Sequence, residues 1–390
     1  MRPRFSALLP IIALILCFAA LPGLTAALPQ KAADKEIKMG KEASKQVEKE
    51  CKIVTDPKYT SRLEKIGRSL ADIANTSIVK AAYGNSQIAK FNYTFKVVDD
   101  KTVNAFSLPG GYIYVNKGLL DYVQSDDELA AVLAHEVAHA AHHHMAQLLK
   151  VENKLDNQML FLLLAGMFAK MDGNALANLM VGAQLFKVAK TNGYGRKAEA
   201  DADATGVLYM TGAGYNPVGM LTFLERLAKD NDSKPAMVMG ILQTHPDPKD
   251  RCHSVLQEIE SLGLPVNRRA VTKCVKAVTV PSWVKGMPVT HVILGDRVIF
   301  DPAPIGNTLT SNQRAEFIAS KINQFLDTEP TIRKLKVSSD GRTLYGDDEP
   351  ILVITDEDCK FYEKTAAELS GMAMDALKRT LWREALARIK

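Results

Sequence analysis

Five of the eight histidines fall between His135 and His144, and two of them, His135 and His139, bracket Glu136 in the spacing H-E-x-x-H. On a helix, residues four apart lie about 40° apart in azimuth and one turn apart in height. Two imidazoles so placed reach one tetrahedral metal ion from the same face. Glu136 stands beside the first, where a carboxylate can take a proton from metal-bound water. Zinc lowers the pKa of such a water to about 7 and polarises a scissile carbonyl. The chemistry expected is metal-assisted hydrolysis with one Zn2+ per chain. A surface helix that happens to be rich in histidine is the competing reading.

Catalytic zinc usually takes a third protein ligand and leaves one position to water. Glu199-Ala200-Asp201-Ala202-Asp203 follows on a predicted helix, and Glu199 and Asp203 share a face at i and i+4. One could ligate zinc while the other hydrogen-bonds a ligating His, or both could be solvated. His245 precedes Pro246, which holds it out of the helical region and predicts a loop or an element end.

The elements that position these residues are partly legible. Ser125 and Glu128 have the S-x-x-E spacing of a capping box. They predict a helix whose buried stripe is Leu129, Val132, Leu133 and Ala140. On its wheel His142 and His143 flank the ligand face, as structural or solvated residues. Amphipathic helices are predicted over 31–52 and from Tyr59 to Ala74. Alternation at Tyr93, Phe95 and Val97 predicts a strand, and 105–115 two strands around Pro109-Gly110-Gly111. Helices are also predicted over 198–209 and after Pro217. The apolar segments 158–169 and 175–189 are each too short to span a bilayer. They read as a buried helical hairpin, with a peripheral membrane contact as the sharper alternative.

Composition excludes several classes. The apolar fraction is 47% and the charged fraction 24%, the mix of a foldable globular protein. The formal charge is +5. With no long Lys/Arg run, nucleic acid is not expected as a partner. Arg2 and Arg4, an apolar stretch from Phe5 to Leu21 and the small residues Thr25-Ala26-Ala27 have the order of a secretory signal peptide over 1–27. Export is therefore expected. Cys51, Cys252, Cys274 and Cys359 would remain, and an oxidising compartment permits disulfides, with Cys252–Cys274 the favoured pair.

His135-Glu136-x-x-His139, Glu199-x-x-x-Asp203 and His245-Pro246 with Arg251 together resemble the HtpX and CAAX-prenyl-protease type of zinc metallopeptidase, family forty-eight of the metallopeptidases. Within that family the chain looks like the exported bacterial members of outer-membrane protein quality control, a resemblance that implies the periplasm. Asn104 to Gly111 resembles the strand those enzymes carry before the zinc helix, and the resemblance covers about 35–260. It implies ligands His135, His139 and Glu199, with Glu136 as general base and Asp203 orienting a ligating His. His144 stands where relatives often have a His, without an assigned role. His245 and Arg251 match a pair near the zinc. His245 would be either an oxyanion donor or a fourth ligand that gates the site, and the gate is favoured. Relatives commonly put Arg before that last His, where this chain has His142-His143.

The fold implied is α+β and zincin-like, mainly helical with a small sheet. A strand at its edge can pair with an extended peptide through the main chain. Asn104, Ala105, Phe106, Gly110 and Gly111 are the candidate substrate-binding residues. Unfolded or misassembled envelope proteins are the implied substrates, with a zinc-fold, chaperone-like binding protein as the alternative. The expected organisation is a signal peptide over 1–27, a metallopeptidase domain over 28–274 and a small α+β domain over 275–390. Segments 312–326 and 350–357 of the last resemble a small periplasmic module found beside unrelated domains, which implies docking rather than catalysis.

Overall fold

The computed structural model describes residues 30–151, apart from 87–88, and 194–389, apart from 234, 246–247 and 329. The expected signal peptide, the paired apolar segments within 158–189 and Pro246 lie outside the described residues. The chain is mainly helical with small sheets, the expected α+β class.

Helix α1 (Gln30–Glu50) buries Met39, Ala43 and Val47 at a four-residue spacing. Helix α2 (Pro57–Thr76) starts with Pro57 after Asp56, whose carboxylate accepts the Lys58 N–H at 2.9 Å. Between and after them come β1 (Ile53–Val54), β2 (Thr94–Val98), β3 (Ala105–Leu108) and β4 (Tyr112–Asn116), in sheet order β1-β2-β4-β3. β2 and β4 run parallel, and the other pairs are antiparallel. Period-two alternation divides the side chains between two faces. Phe106, Leu108 and Tyr114 pack with α1, while Phe95, Val97, Ile113 and Val115 join the main core. Gly110 and Gly111 make the β3–β4 turn at φ +77° and +87°. The α1 backbone lies so near that a Cβ on Gly110 would sit 2.8 Å from the Ile37 Cα.

After α3 (Lys117–Tyr122), helix α4 (Asp126–Ala141) runs through the main core. Ala130, Ala131, Ala134 and Ala138 keep its girth small, and neighbours cover it on nearly every side. Only half of the expected capping box forms. The Ser125 hydroxyl accepts the Glu128 N–H at 3.1 Å, but the Glu128 carboxylate turns to the Gln124 N–H and to Arg226. A fully buried carboxylate needs a charged partner, and Arg226 supplies it in two hydrogen bonds of 2.6 and 3.0 Å.

Around α4 pack α6 (Tyr194–Gly212) and α7 (Val218–Ser233), followed by α8 (Pro235–Thr244), α9 (Pro248–Ser261) and the short α10 (Arg268–Val271). Gly206 on α6 permits the closest approach. A Cβ there would meet Met220 at 2.7 Å and the His135 backbone N at 3.4 Å. α4 stops at Ala141, because His143 adopts φ +59°, and α5 (His144–Val151) sets off afresh. The helical wheel drawn through His142 and His143 therefore fails. Both are buried and partnered: His142 reaches Asp201 at 2.5 Å and His143 reaches Glu36 at 2.6 Å.

A second hydrophobic cluster runs from Ala277 to Leu381. It lies among a sheet of β5 (Ala277–Val284), β6 (Met287–Leu294) and β7 (Arg297–Phe300), another of β8 (Leu335–Val337), β9 (Thr343–Gly346) and β10 (Glu349–Val353), and the helices α11 (Ser311–Asp327), α12 (Asp356–Tyr362) and α13 (Ala366–Ile389). β6 and β7 form a hairpin around Gly295-Asp296, and β5 extends it. The expected Cys252–Cys274 disulfide is absent. Cys252 packs against the main core, while the Cys274 thiol points to the Arg269 carbonyl at 3.5 Å. Among the described residues no helix is long and apolar enough to cross a membrane.

Candidate metal centre

One turn of α4 presents His135 and His139, and α6 crosses it to bring in Glu199. His245, at the end of α8, closes the group. Their donor atoms all lie within 4.8 Å of one another. His139 Nε2 is 2.9 Å from His135 Nε2, which is 3.1 Å from His245 Nδ1. Glu199 oxygens stand 3.4 Å from His135 Nε2, 3.3 Å from His139 Nε2 and 3.2 Å from His245 Nδ1. All four residues are wholly or largely buried.

The donor chemistry fits zinc. Metal–ligand bonds of about 2.0–2.1 Å in a tetrahedron put donors about 3.3 Å apart, the range found here. Asp203 accepts the His135 Nδ1–H at 2.9 Å, which leaves the Nε2 lone pair facing the other donors. Nitrogen lone pairs converging with a carboxylate call for a cation among them. Among the described residues, His135, His139, Glu199 and His245 are those that would hold it.

Charge is balanced by residues behind the donors. Arg251, on α9, donates to both Asp203 oxygens at 2.7 Å and stands 2.9 Å from Glu199. Burial alone would raise the Glu199 carboxyl, but His245 and Arg251 outweigh it and hold it well below the ordinary carboxylate range. Glu136 is likewise buried, yet His245, His139 and His135 bring it down to about 2. Burial lowers His139, and the neighbouring His135 lowers it further, to about 4. For His245 burial works downward and is overcome by Glu199 and Glu136, which lift it to about 10. Its Nε2 is 3.1 Å from a Glu136 oxygen. Beside them lies a small cavity walled by Met220, Phe223, Leu227 and Ile241, and such low-polarity surroundings strengthen every charge interaction in the site.

The predicted residues come together unequally. His135, Glu136, His139, Glu199, Asp203, His245 and Arg251 form one cluster. Arg251 holds Asp203 and Glu199 and also lines the cavity beside the donors. Asn104 meets Thr244, just before His245, at 3.3 Å. Ala105 and Phe106 have buried side chains, and Phe106 stacks on Tyr114 with ring centroids 5.1 Å apart. β3 is the last strand of its sheet, so what it can offer a peptide is its main-chain edge. Gly110 and Gly111 shape the turn.

Sequence reasoning missed a second buried group, His142, His144 and Asp201. Asp201 receives the backbone N–H groups of Ala82 and Tyr83 as well as His142 and His144. The available signal was the crowding of histidines itself, together with Asp201 two residues beyond Glu199 on α6.

Comparisons with known proteins match the segment that carries this cluster to a peptidase family. The family described as peptidase family M48 matches residues 67–259, and a domain of unknown function, DUF8459, matches 289–384. The chain is 29% identical over 227 residues to the beta-barrel assembly-enhancing protease of Yersinia pestis, covering 56% of this chain and 42% of that one. To the protein of the same name from Escherichia coli K12 it is 25% identical over 221 residues, covering 55% and 42%. To the mitochondrial metalloendopeptidase OMA1 of Saccharomyces cerevisiae it is 31% identical over 179 residues, covering 43% and 49%. The chain spans about two fifths of the length of the beta-barrel assembly-enhancing proteases that it matches.

Proposed function

Because residues 67–259 are a peptidase family M48 domain, we propose that this chain is an exported zinc metalloendopeptidase that cleaves unfolded or misassembled envelope proteins. The observation that carries the reading is the convergence of His135, His139 and Glu199 at 2.9–3.4 Å beside the buried carboxylate of Glu136. When bound, zinc supplies a Lewis acid and an acidified water. His135, His139 and Glu199 hold it. Glu136 is ionised at neutral pH, accepts the proton of the attacking water at its carboxylate and returns it to the leaving amine. Asp203 fixes His135 through its Nδ1–H, and Arg251 clamps Asp203 and Glu199 together. The free edge of β3 takes the substrate backbone, so recognition is broad. Relatives named for beta-barrel assembly support the envelope setting, and the signal-like order of residues 1–27 supports export. The experiment is a pair of measurements on purified protein. One zinc per chain is expected, with casein cleavage that stops on chelation and returns with zinc. Cleavage indifferent to chelation would overturn the reading.

The boundary at 274/275 separates catalysis from a C-terminal unit that serves in docking. The two hydrophobic clusters, 33–271 and 277–381, support it. A chain ending at residue 274 should keep its zinc and its melting transition while cutting an envelope protein more slowly. Loss of metal on truncation would mean that the two clusters fold as one.

His245 is the restraint. Its Nδ1 lies among the other donors, so it can complete the coordination that an attacking water would otherwise use. This arrangement also favours the second reading, a binding protein with little proteolysis in which the restraint is seldom released. His245→Ala should raise basal casein cleavage about tenfold at equal zinc content. An oxyanion donor would show the opposite, a fall of about 100-fold.

A further inference from the structure

We propose that Asp201 and His144 are positioning residues that set the tautomer of His139, so that a bare Nε2 faces the metal. The proposal rests on the reading of His139 as a zinc ligand. The argument follows the protons. Asp201 Oδ1 receives the backbone N–H groups of Ala82 and Tyr83. Its Oδ2 lies 2.5 Å from His142 Nδ1 and 3.1 Å from His144 Nε2. That same His144 Nε2 is 3.0 Å from the Tyr83 carbonyl oxygen. Among the described residues two acceptors and no donor face it, so Nε2 carries the proton. In the neutral ring Nδ1 is then bare, and it lies 2.8 Å from His139 Nδ1. His139 Nδ1 must therefore donate, which leaves the lone pair on Nε2, 2.9 Å from His135 Nε2 and 3.3 Å from Glu199.

Metal-ligating histidines usually give their other N–H directly to a carboxylate, carbonyl or water. His135 does so with Asp203. For His139 an imidazole is interposed, and the carboxylate acts at one remove. The break between α4 and α5 makes this possible. His143 turns the backbone at φ +59° and swings His144 back beneath His139. The 81–86 loop then closes over the pair, with the Asn85 N–H on the His142 carbonyl at 3.0 Å. Gly84, at φ +97°, lies so near that a Cβ would stand 2.9 Å from the His144 ring. His142, His144 and Asp201 could also be read as a second metal site. Against that, both Asp201 oxygens and both His144 nitrogens already have partners.

Asp201→Asn tests the chain of protons. The backbone N–H groups of Ala82 and Tyr83 are obligate donors and hold the amide oxygen on their side. The amide NH2 then faces His142 and His144. Only the Tyr83 carbonyl then still holds the His144 proton on Nε2, while the amide N–H favours a bare Nε2 with the proton on Nδ1, opposite the His139 N–H. The His139 tautomer balance shifts toward a proton on Nε2. Zinc affinity, read by competition with a chromophoric chelator, should fall about 10–100-fold. Nitrogen-15 NMR of histidine-labelled protein after zinc removal should move the His139 proton from Nδ1 to Nε2. His144→Leu should lose affinity similarly, and Asp201→Asn should cost nothing further in that background, since the two act in series. His144→Asn, whose Oδ1 can still accept from His139, should recover most of the affinity. Unchanged affinity in Asp201→Asn, fully additive losses or a second zinc per chain would overturn the proposal. A wild-type protein that binds no zinc would overturn the parent reading instead.

Discussion

Glu136→Gln should lose about 10²–10⁴-fold in peptide hydrolysis, the range general acid–base catalysis supplies, while its zinc content stays that of the wild type. The side chain is 2% exposed and sits beside His245 Nε2 at 3.1 Å. Gln has the same length and keeps an oxygen for that contact, so the cavity needs no repacking. What it loses is the negative charge and the ability to hold a proton. Glu136 is not among the atoms that converge on the metal, so affinity for zinc should change little. Zinc stoichiometry and steady-state casein cleavage on the same preparation check the expectation. Undiminished turnover would remove Glu136 from the mechanism, and loss of zinc would make it a ligand.

The part of this site that was legible in the sequence is the part that one helix encodes. H-E-x-x-H and the Ser125 cap lie within five turns of chain, and the 3.6-residue period converts spacing into direction. Glu199 and Asp203 were legible as a pair for the same reason. Which of them faces the metal was not, because that depends on how closely α6 crosses α4 at Gly206, a contact between residues about seventy apart in sequence. The end of α4 was misread for a physical reason. No glycine or proline marks it, and His143 takes a left-handed conformation that its buried bond to Glu36 and its edge contact with Phe91, at a centroid distance of 5.5 Å, hold in place. Its consequence, His144 under His139, is invisible to any helical wheel. The parallel pairing of β2 with β4 was likewise out of reach, since β3 lies between them in the chain. In the C-terminal unit the strands β5, β8 and β9 escaped because half of β5 is exposed and the other two are only three and four residues long.

Glu199→Ala should strip the site of zinc at concentrations that saturate the wild type, with a loss of affinity well beyond the 10–100-fold typical of a residue behind a ligand. Two effects add. One donor disappears, and so does the carboxylate that offsets three imidazoles and Arg251 in a buried space. The Arg251 guanidinium, left with Asp203 as its carboxylate partner, then opposes a dication more strongly. Nearby acids cannot take over the role. Asp203 is held by the His135 Nδ1–H and by two bonds from Arg251. Asp201 faces the opposite side of α6, bound to His142, His144 and the 82–83 backbone. Asp203→Asn is the informative companion. It keeps His135 and Glu199 in place but weakens the hydrogen bond behind His135, so its loss should stay within 10–100-fold. Chelator competition on both variants ranks them. Wild-type affinity in Glu199→Ala, with the larger loss in Asp203→Asn, would exchange the two assignments. It would also place the metal on the His135 side of Arg251 rather than among the four donors.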